Sequence, residues 1–260
     1  MRIGIRARPG NEPQDAQNAE AAGTFGVLLE PSPATWSLAG AAAASNTRFV
    51  RLIVRVQLGV DHPITLAEDL AVLDNIAGGR VVALLDTGEL DAEAAREDVS
   101  LIVAGLGPRP VAHVGRRWRV PAGLEGHEAP DRIQVTPEPV QVEIPIWLDG
   151  PVAHEVATVT GHPVLASEFA AVDVGRNVQP ARAEVSGELD SDRALVNRWA
   201  DAGATHLLLG AADLEAALPH IARYLRPEVA MPMFPRIVAE AMTPRPWPGP
   251  GRYVEVPPTP

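Results

Sequence analysis

Short apolar runs alternate with segments of helical spacing along most of the chain. The run Arg2–Arg6 predicts a short strand, and Pro13–Ala22 a helix with Asn11 as candidate cap and Gly23 as its stop. Phe25–Leu29 predicts a buried strand, and the Ala-rich Pro33–Ala44 a helix. Phe49–Leu58 is a long β-branched run. In Ile64–Ile76, residues Ile64, Ala67, Leu70, Ala71 and Leu73 fall at helical spacing, and Gly78-Gly79 ends that helix before a strand at Arg80–Leu85. Asp91–Ala104 predicts another helix. The stretch Gly105–Ile144 is loop-rich, with a hairpin at Val111–Val120 turning at Gly115. Beyond it come a strand at Ile144–Leu148, a helix at Val152–Thr160, brief strands at Val164–Ala166 and Ala181–Val185, a helix at Ser191–Ala202, a strand at His206–Leu209 and a helix at Asp213–Leu225.

Strand and helix in this rhythm imply parallel strands joined by helical crossovers. About eight strands favour a (β/α)8 TIM barrel over an open sheet. Between Ala166 and Ala181 there is scarcely room for a crossover, so the helix near 167–180 is expected to be shortened or missing. The barrel is placed at residues 1–228 and a Pro-rich C-terminal arm or tail at 229–260. Thr243–Pro260 holds seven prolines in 18 residues, which can neither continue a helix nor join a central strand. Such a segment is either disordered or an extended arm anchored by Trp247, Tyr253 and Val254.

The 260 residues are 46% hydrophobic and 21% charged, ample for a core. There is no cysteine, which removes disulfides, thiolate nucleophiles and Cys-ligated metals. There is no lysine either: all 22 basic residues are arginine, so Schiff-base chemistry and the P-loop lysine are excluded. The net charge of −11 and pI near 5.1 argue against nucleic acid and anionic membranes. The basic cluster Arg116-Arg117-Trp118-Arg119 reads as a solvated hairpin. Met1–Gly10 lacks the apolar core of a signal peptide. The longest uncharged stretch, Pro31–Thr47, is too short and polar to span a bilayer. A soluble, cytoplasmic protein is the expectation.

Phosphate motifs fail. Gly105-Leu106-Gly107-Pro108 follows a helix and carries a proline where a helix should open. None of the seven histidines (His62, His113, His127, His154, His162, His206, His220) falls in a ligand spacing, so no metal is expected. Barrel chemistry sits at the carboxyl ends of the strands. The polar residues there are Glu30, the stretch Gln57–His62, Asp86-Thr87-Gly88, Asp149-Gly150 and Gly210. Asp86 follows a wholly apolar strand, yet with Thr87 it could equally form a turn and helix cap. His62 is held extended by Pro63; it could act as acid or base, or cap the next helix.

Several of these segments resemble the luciferase-like monooxygenases. His62-Pro63-Ile64-Thr65-Leu66-Ala67-Glu68, then Leu73-Asp74, then Gly78-Gly79-Arg80 is similar to that family's third-helix signature. Ala19-Glu20-Ala21-Ala22-Gly23, Gln141–Gly150 and Ala202-Gly203-Ala204-Thr205-His206 match further family stretches. The resemblance covers roughly residues 1–228 and is strongest at 45–88. It implies a (β/α)8 barrel, often a homodimer, with FMN or the deazaflavin F420 at its mouth. The FMN reading is a monooxygenase using reduced flavin and oxygen on a small organic substrate, with a flavin reductase as partner. The F420 reading is hydride transfer. Under either, Glu30, His62 and Asp86 are the candidate catalytic residues, and Gln57, Thr87, Gly88 and Gly150 the candidate cofactor contacts. The sequence also departs from the family. Ala83-Leu84-Leu85-Asp86-Thr87-Gly88 stands where the family has a Gly-rich loop, with only Gly88 matching, and Asp149-Gly150-Pro151 replaces Gly-Gly-Ser. An aspartate would repel a flavin phosphate, and a proline removes a backbone donor. A barrel without redox activity, whether flavin-storing, a partner subunit or recruited to a non-redox biosynthetic role, is therefore the alternative expectation. The Ala-rich Ala39–Ala44 would let a neighbouring subunit approach, or simply pack on its own barrel.

Overall fold

The β-branched and leucine-rich runs form strands because their residues can be buried on both faces, as parallel strands under crossover helices require. The computed structural model describes residues 1–122, 130–172 and 177–225. The parallel strands are β1 (Arg2–Arg6), β2 (Gly26–Leu29), β3 (Arg51–Gln57), β4 (Val81–Asp86), β7 (Ile146–Asp149), β8 (Pro180–Val185) and β9 (His206–Ala211). They lie in the order β7-β4-β3-β2-β1-β9-β8. The two edges of this sheet are joined by residues 164–166, through parallel bridges Leu148–Val164 and Ala166–Ala181. That segment is the eighth stave of a curled (β/α)8 barrel, reduced to two bridges.

The crossovers are α1 (Glu12–Ala21), α2 (Trp36–Ser45), α3 (Pro63–Ala77), α4 (Ala92–Leu106), α5 (Ala153–Thr160), α6 (Leu189–Asp201) and α7 (Leu214–His220). The sixth crossover is cut back: its described part is a single 3-10 turn, Phe169–Ala171. The expected last helix, Asp213–Leu225, is α-helical only to His220 and continues as a π turn, Ile221–Leu225. Pro219 lies inside it and has no N–H to give the α ladder. Asp86 and Asp149 close their strands rather than following them, and Gly210 lies within β9, where a loop was expected. The predicted hairpin is present as β5 (His113–Val114) and β6 (Arg119–Val120). Its arginines face α4: Arg116 pairs with Asp91 and Glu93, and Arg117 with Asp98. His127, the segment 226–228 and the Pro-rich 229–260 lie outside the described residues.

Two apolar layers result. The larger lies between strands and helices; the smaller fills the barrel with Leu28, Ile53, Val82, Leu84, Trp147, Leu165 and Leu208. Side chains alternate across a strand. The residues two places on from Leu28, Ile53, Leu84 and Trp147 therefore also point inward, at the carboxyl end. They are Glu30, Arg55, Asp86 and Asp149.

Candidate functional site at the carboxyl end of the barrel

Those inward positions carry charge, and the charges meet. Arg6 of β1 donates from Nε and Nη2 to Glu30 Oε2, at 3.1 and 2.9 Å. Arg55 of β3 donates from Nη1 to Glu30 Oε1 at 3.1 Å. Its Nε and Nη2 go to Asp86 Oδ2, at 3.2 and 2.9 Å. Arg55 Nη2 also lies 3.8 Å from Asp149 Oδ2, and Arg182 of β8 donates to that same oxygen at 3.1 Å. Glu184, two residues further along β8, pairs with Arg6 Nη1. Three arginines and four carboxylates from six strands thus form one network across the mouth. Burial works against the Arg55 charge, but Asp86, Asp149 and Glu30 outweigh it and hold its pKa above the ordinary arginine value.

Glu30 and Asp86, expected as catalytic candidates, are brought together through Arg55. His62 is not part of this network. It caps α3, its Nδ1 accepting from the Ile64 N–H at 3.1 Å, and its ring meets Trp118 of the hairpin edge-on, 4.4 Å between centroids. Pro63 at the first helical position and Gly78 in the left-handed conformation complete that helix. Thr87, Gly88 and Gly150 do cluster. Gly88 N donates to Asp86 Oδ1 at 3.1 Å and Gly150 N to Asp149 Oδ1 at 2.9 Å. Gly150 has φ of 103°, and a Cβ there would fall 2.4 Å from Thr87 Oγ1 and 2.6 Å from Asp86 Oδ1. Thr87 Oγ1 is buried with no hydrogen-bond partner in the structure. Gln57 lies beside Gly88, its Nε2 3.3 Å from where a Gly88 Cβ would be.

The sequence reading missed Arg6, Arg55, Arg182 and Glu184. The signal was present for Arg55, a charged residue inside a β-branched run, but only the register shows which face it takes. Register also unites Arg182 with Leu208 and Glu184 with Gly210.

No protein-family profile matches the chain, and no curated protein matches it. Solved structures do. The monooxygenase RslO1 from Streptomyces bottropensis is 19% identical, with a TM-score of 0.64 over 87% of this chain and 99% of that one. The fold is that of the luciferase-like monooxygenases. The coenzyme F420-dependent tetrahydromethanopterin reductase from Methanopyrus kandleri matches at 15% identity and TM-score 0.64, over 87% and 98% of the two chains. An F420-dependent secondary alcohol dehydrogenase, in complex with an F420–acetone adduct, matches at 13% identity and TM-score 0.67, over 86% and 98%.

A flavin or deazaflavin needs a flat slot for its ring and backbone donors for its phosphate. In this barrel the inward positions at the mouth hold arginines and carboxylates paired with one another. The N–H groups of Gly88 and Gly150 already serve Asp86 and Asp149. The bare face of Gly150 is closed by Thr87 and Asp86. At these candidate contacts the residues do not fit the group. Among the described residues, no helix is long and apolar enough to cross a membrane.

Proposed function

We propose that this chain is a luciferase-like barrel without flavin redox chemistry, recruited to a non-redox role on a small molecule at its mouth. The supporting observation is the mouth network: the inward arginines and carboxylates pair with one another, and the N–H groups of Gly88 and Gly150 already serve Asp86 and Asp149. In this reading Glu30 and Asp86 are anionic struts that fix the arginines, and His62 fixes the start of α3. Thr87, Gly88 and Gly150 form a closed corner of the mouth rather than a cofactor cradle.

The fold neighbours favour a second reading, an oxidoreductase using reduced FMN with oxygen, or F420. It requires Arg55 and Arg182 to leave their partners before a ring can enter. A flavin reductase partner belongs to that reading alone. Anaerobic titration of the intact protein with FMN, reduced FMN and reduced F420, followed by fluorescence, separates the two. No saturable binding up to high micromolar concentration is expected, with the protein shown to be folded. Saturable micromolar binding of any of the three overturns the proposal and identifies the cofactor.

A homodimer also forms part of the proposal. Its support is the outer side of α2 and α3, where Leu38, Val72 and Ile76 are exposed. Scattered apolar residues are normal on a surface, but three on adjacent helices make a face suited to a second copy.

A further inference from the structure

The four mouth carboxylates are not alike. The side chains of Glu30, Asp86 and Asp149 are 14, 13 and 8% exposed, whereas that of Glu184 is 61% exposed. Each of the three buried ones takes bonds from two directions: Glu30 from Arg6 and Arg55, Asp86 from Arg55 and Gly88 N, Asp149 from Arg182 and Gly150 N. Glu184 has Arg6 alone. The three arginines balance the three buried carboxylates, so Glu184 is the surplus anion.

Its place is set by a gap. Glu184 pairs with Gly210 across β8 and β9. Gly210 is the inward position after Leu208 and has no side chain. A Cβ there would lie 2.5 Å from both carboxylate oxygens of Glu184. The slot that Gly210 leaves in the wall is filled by a carboxylate on a flexible, exposed stem. Arg182 stands two residues before Glu184 on the same face. It spends only Nη1, on Asp149; its Nε and Nη2 have no protein acceptor among the described residues.

Resting on the reading of a mouth without flavin, we infer that the slot over Gly210, between Arg6 and Arg182, binds the carboxylate of a small organic acid, and that Glu184 holds the slot in its absence. Planar guanidinium edges match a carboxylate, and an exposed ion pair is weakly held and readily exchanged. A carboxylate that takes the place of Glu184 on Arg6 releases Glu184 into solvent, where its charge is screened. The remainder of the ligand then faces solvent, where Glu184 now points.

The test uses propionate as probe and the arginine Nε–H signals of the intact protein in 1H–15N spectra. Chloride at equal ionic strength serves as control. Glu184→Gln removes the tethered competitor, and its exposed position leaves folding unaffected. Propionate is expected to shift the Arg6 and Arg182 signals saturably, about tenfold more tightly in Glu184→Gln than in the unaltered chain, since a tethered group competes at millimolar or higher effective concentration. Adding Arg182→Gln to Glu184→Gln is expected to abolish the shift. Equal affinity with and without Glu184, a shift reproduced by chloride, or no shift in a folded Glu184→Gln protein each overturn the inference. The flavin titration is read separately on the flavin. Absence of both flavin and propionate binding defeats the slot but leaves the flavin-free reading standing, whereas flavin binding defeats both.

Discussion

The two ends of the barrel are built from different kinds of residue. At the amino end of the strands, polar side chains clamp backbone. Glu20, at the end of α1, accepts from the N–H groups of Arg48, Phe49 and Val50. Burial opposes its charge, but those three donors prevail and hold its pKa below the ordinary value. Arg80 donates to the carbonyls of Ala44, Thr47, Val50 and Ala77. Asp74 is fully buried and accepts from Gln141 N at 2.9 Å and Gln141 Nε2 at 2.8 Å, which fastens the long insertion to the base of β4. Each of these residues falls in a stretch that carries the luciferase-like resemblance. At the carboxyl end, side chains clamp one another across the axis, and there the sequence departs from the family. Crossover closure is the same problem in every barrel of this kind, whereas the mouth is where barrels diverge in chemistry. Where the resemblance rests on these amino-end clamps, it speaks for fold and leaves function to the other end.

The largest effect that would break this contrast is at Arg55. Arg55→Leu leaves Glu30 and Asp86 short of a partner in a crowded mouth. Removing one member of a buried ion pair costs 3–5 kcal/mol; with a third of Arg55 in solvent, about 3 kcal/mol is expected in urea denaturation. A loss below about 1 kcal/mol would mean the mouth network is slack and open to ligands of any kind. At the amino end, Asp74→Ala strands the Gln141 donors, for a loss of roughly 2.5 kcal/mol. Lowering the salt should strengthen the mouth more than this neutral-partner clamp.

The floor of the barrel gives a pH signature. His206 packs against Phe25 and Trp147, with ring centroids 4.8 and 5.6 Å away. Burial first, then Arg2, the N-terminus and Arg51, lower its pKa to about 4 from 6.5. The unfolded chain thus takes up this proton first as pH falls. Stability from His206 is intact above about pH 6.5, declines down to about 4, and declines no further below that. Between pH 7 and 5 the loss is about 2 kcal/mol at 1.36 kcal/mol per pH interval of one. Denaturation midpoints of His206→Phe should lack that slope; an unchanged slope would place its origin elsewhere. The smallest stability effect is on the outer surface of the helix layer. Val72→Arg should change stability by less than about 0.5 kcal/mol, while converting a sedimenting dimer to a 27.6 kDa particle. A monomer in the unaltered protein would remove the dimer.

Much was legible in the chain itself. Periodicity and punctuation located every barrel strand to within a few residues, because burial on both faces demands uninterrupted apolar runs and crossovers demand helical spacing. The cut crossover near 167–180 was legible as a shortage of residues. Asp86, Glu30 and Gly150 could be named from strand ends. His62 was open between proton transfer and capping, and its Nδ1 accepts from the Ile64 N–H as a cap does. What the sequence could not show was partnership. Arg6 and Glu30 are 24 residues apart, and Arg6 and Glu184 are 178 apart. Which charged residues meet depends on strand order and on the register of β8 with β9, since a shift of one residue would turn Arg182 and Glu184 to the helices. The sequence determined the barrel, because local pattern and burial agree along it. Tertiary structure alone decided that the mouth is a paired ionic network with one exposed carboxylate, because closing the sheet brings the inward faces of distant strands within reach of one another.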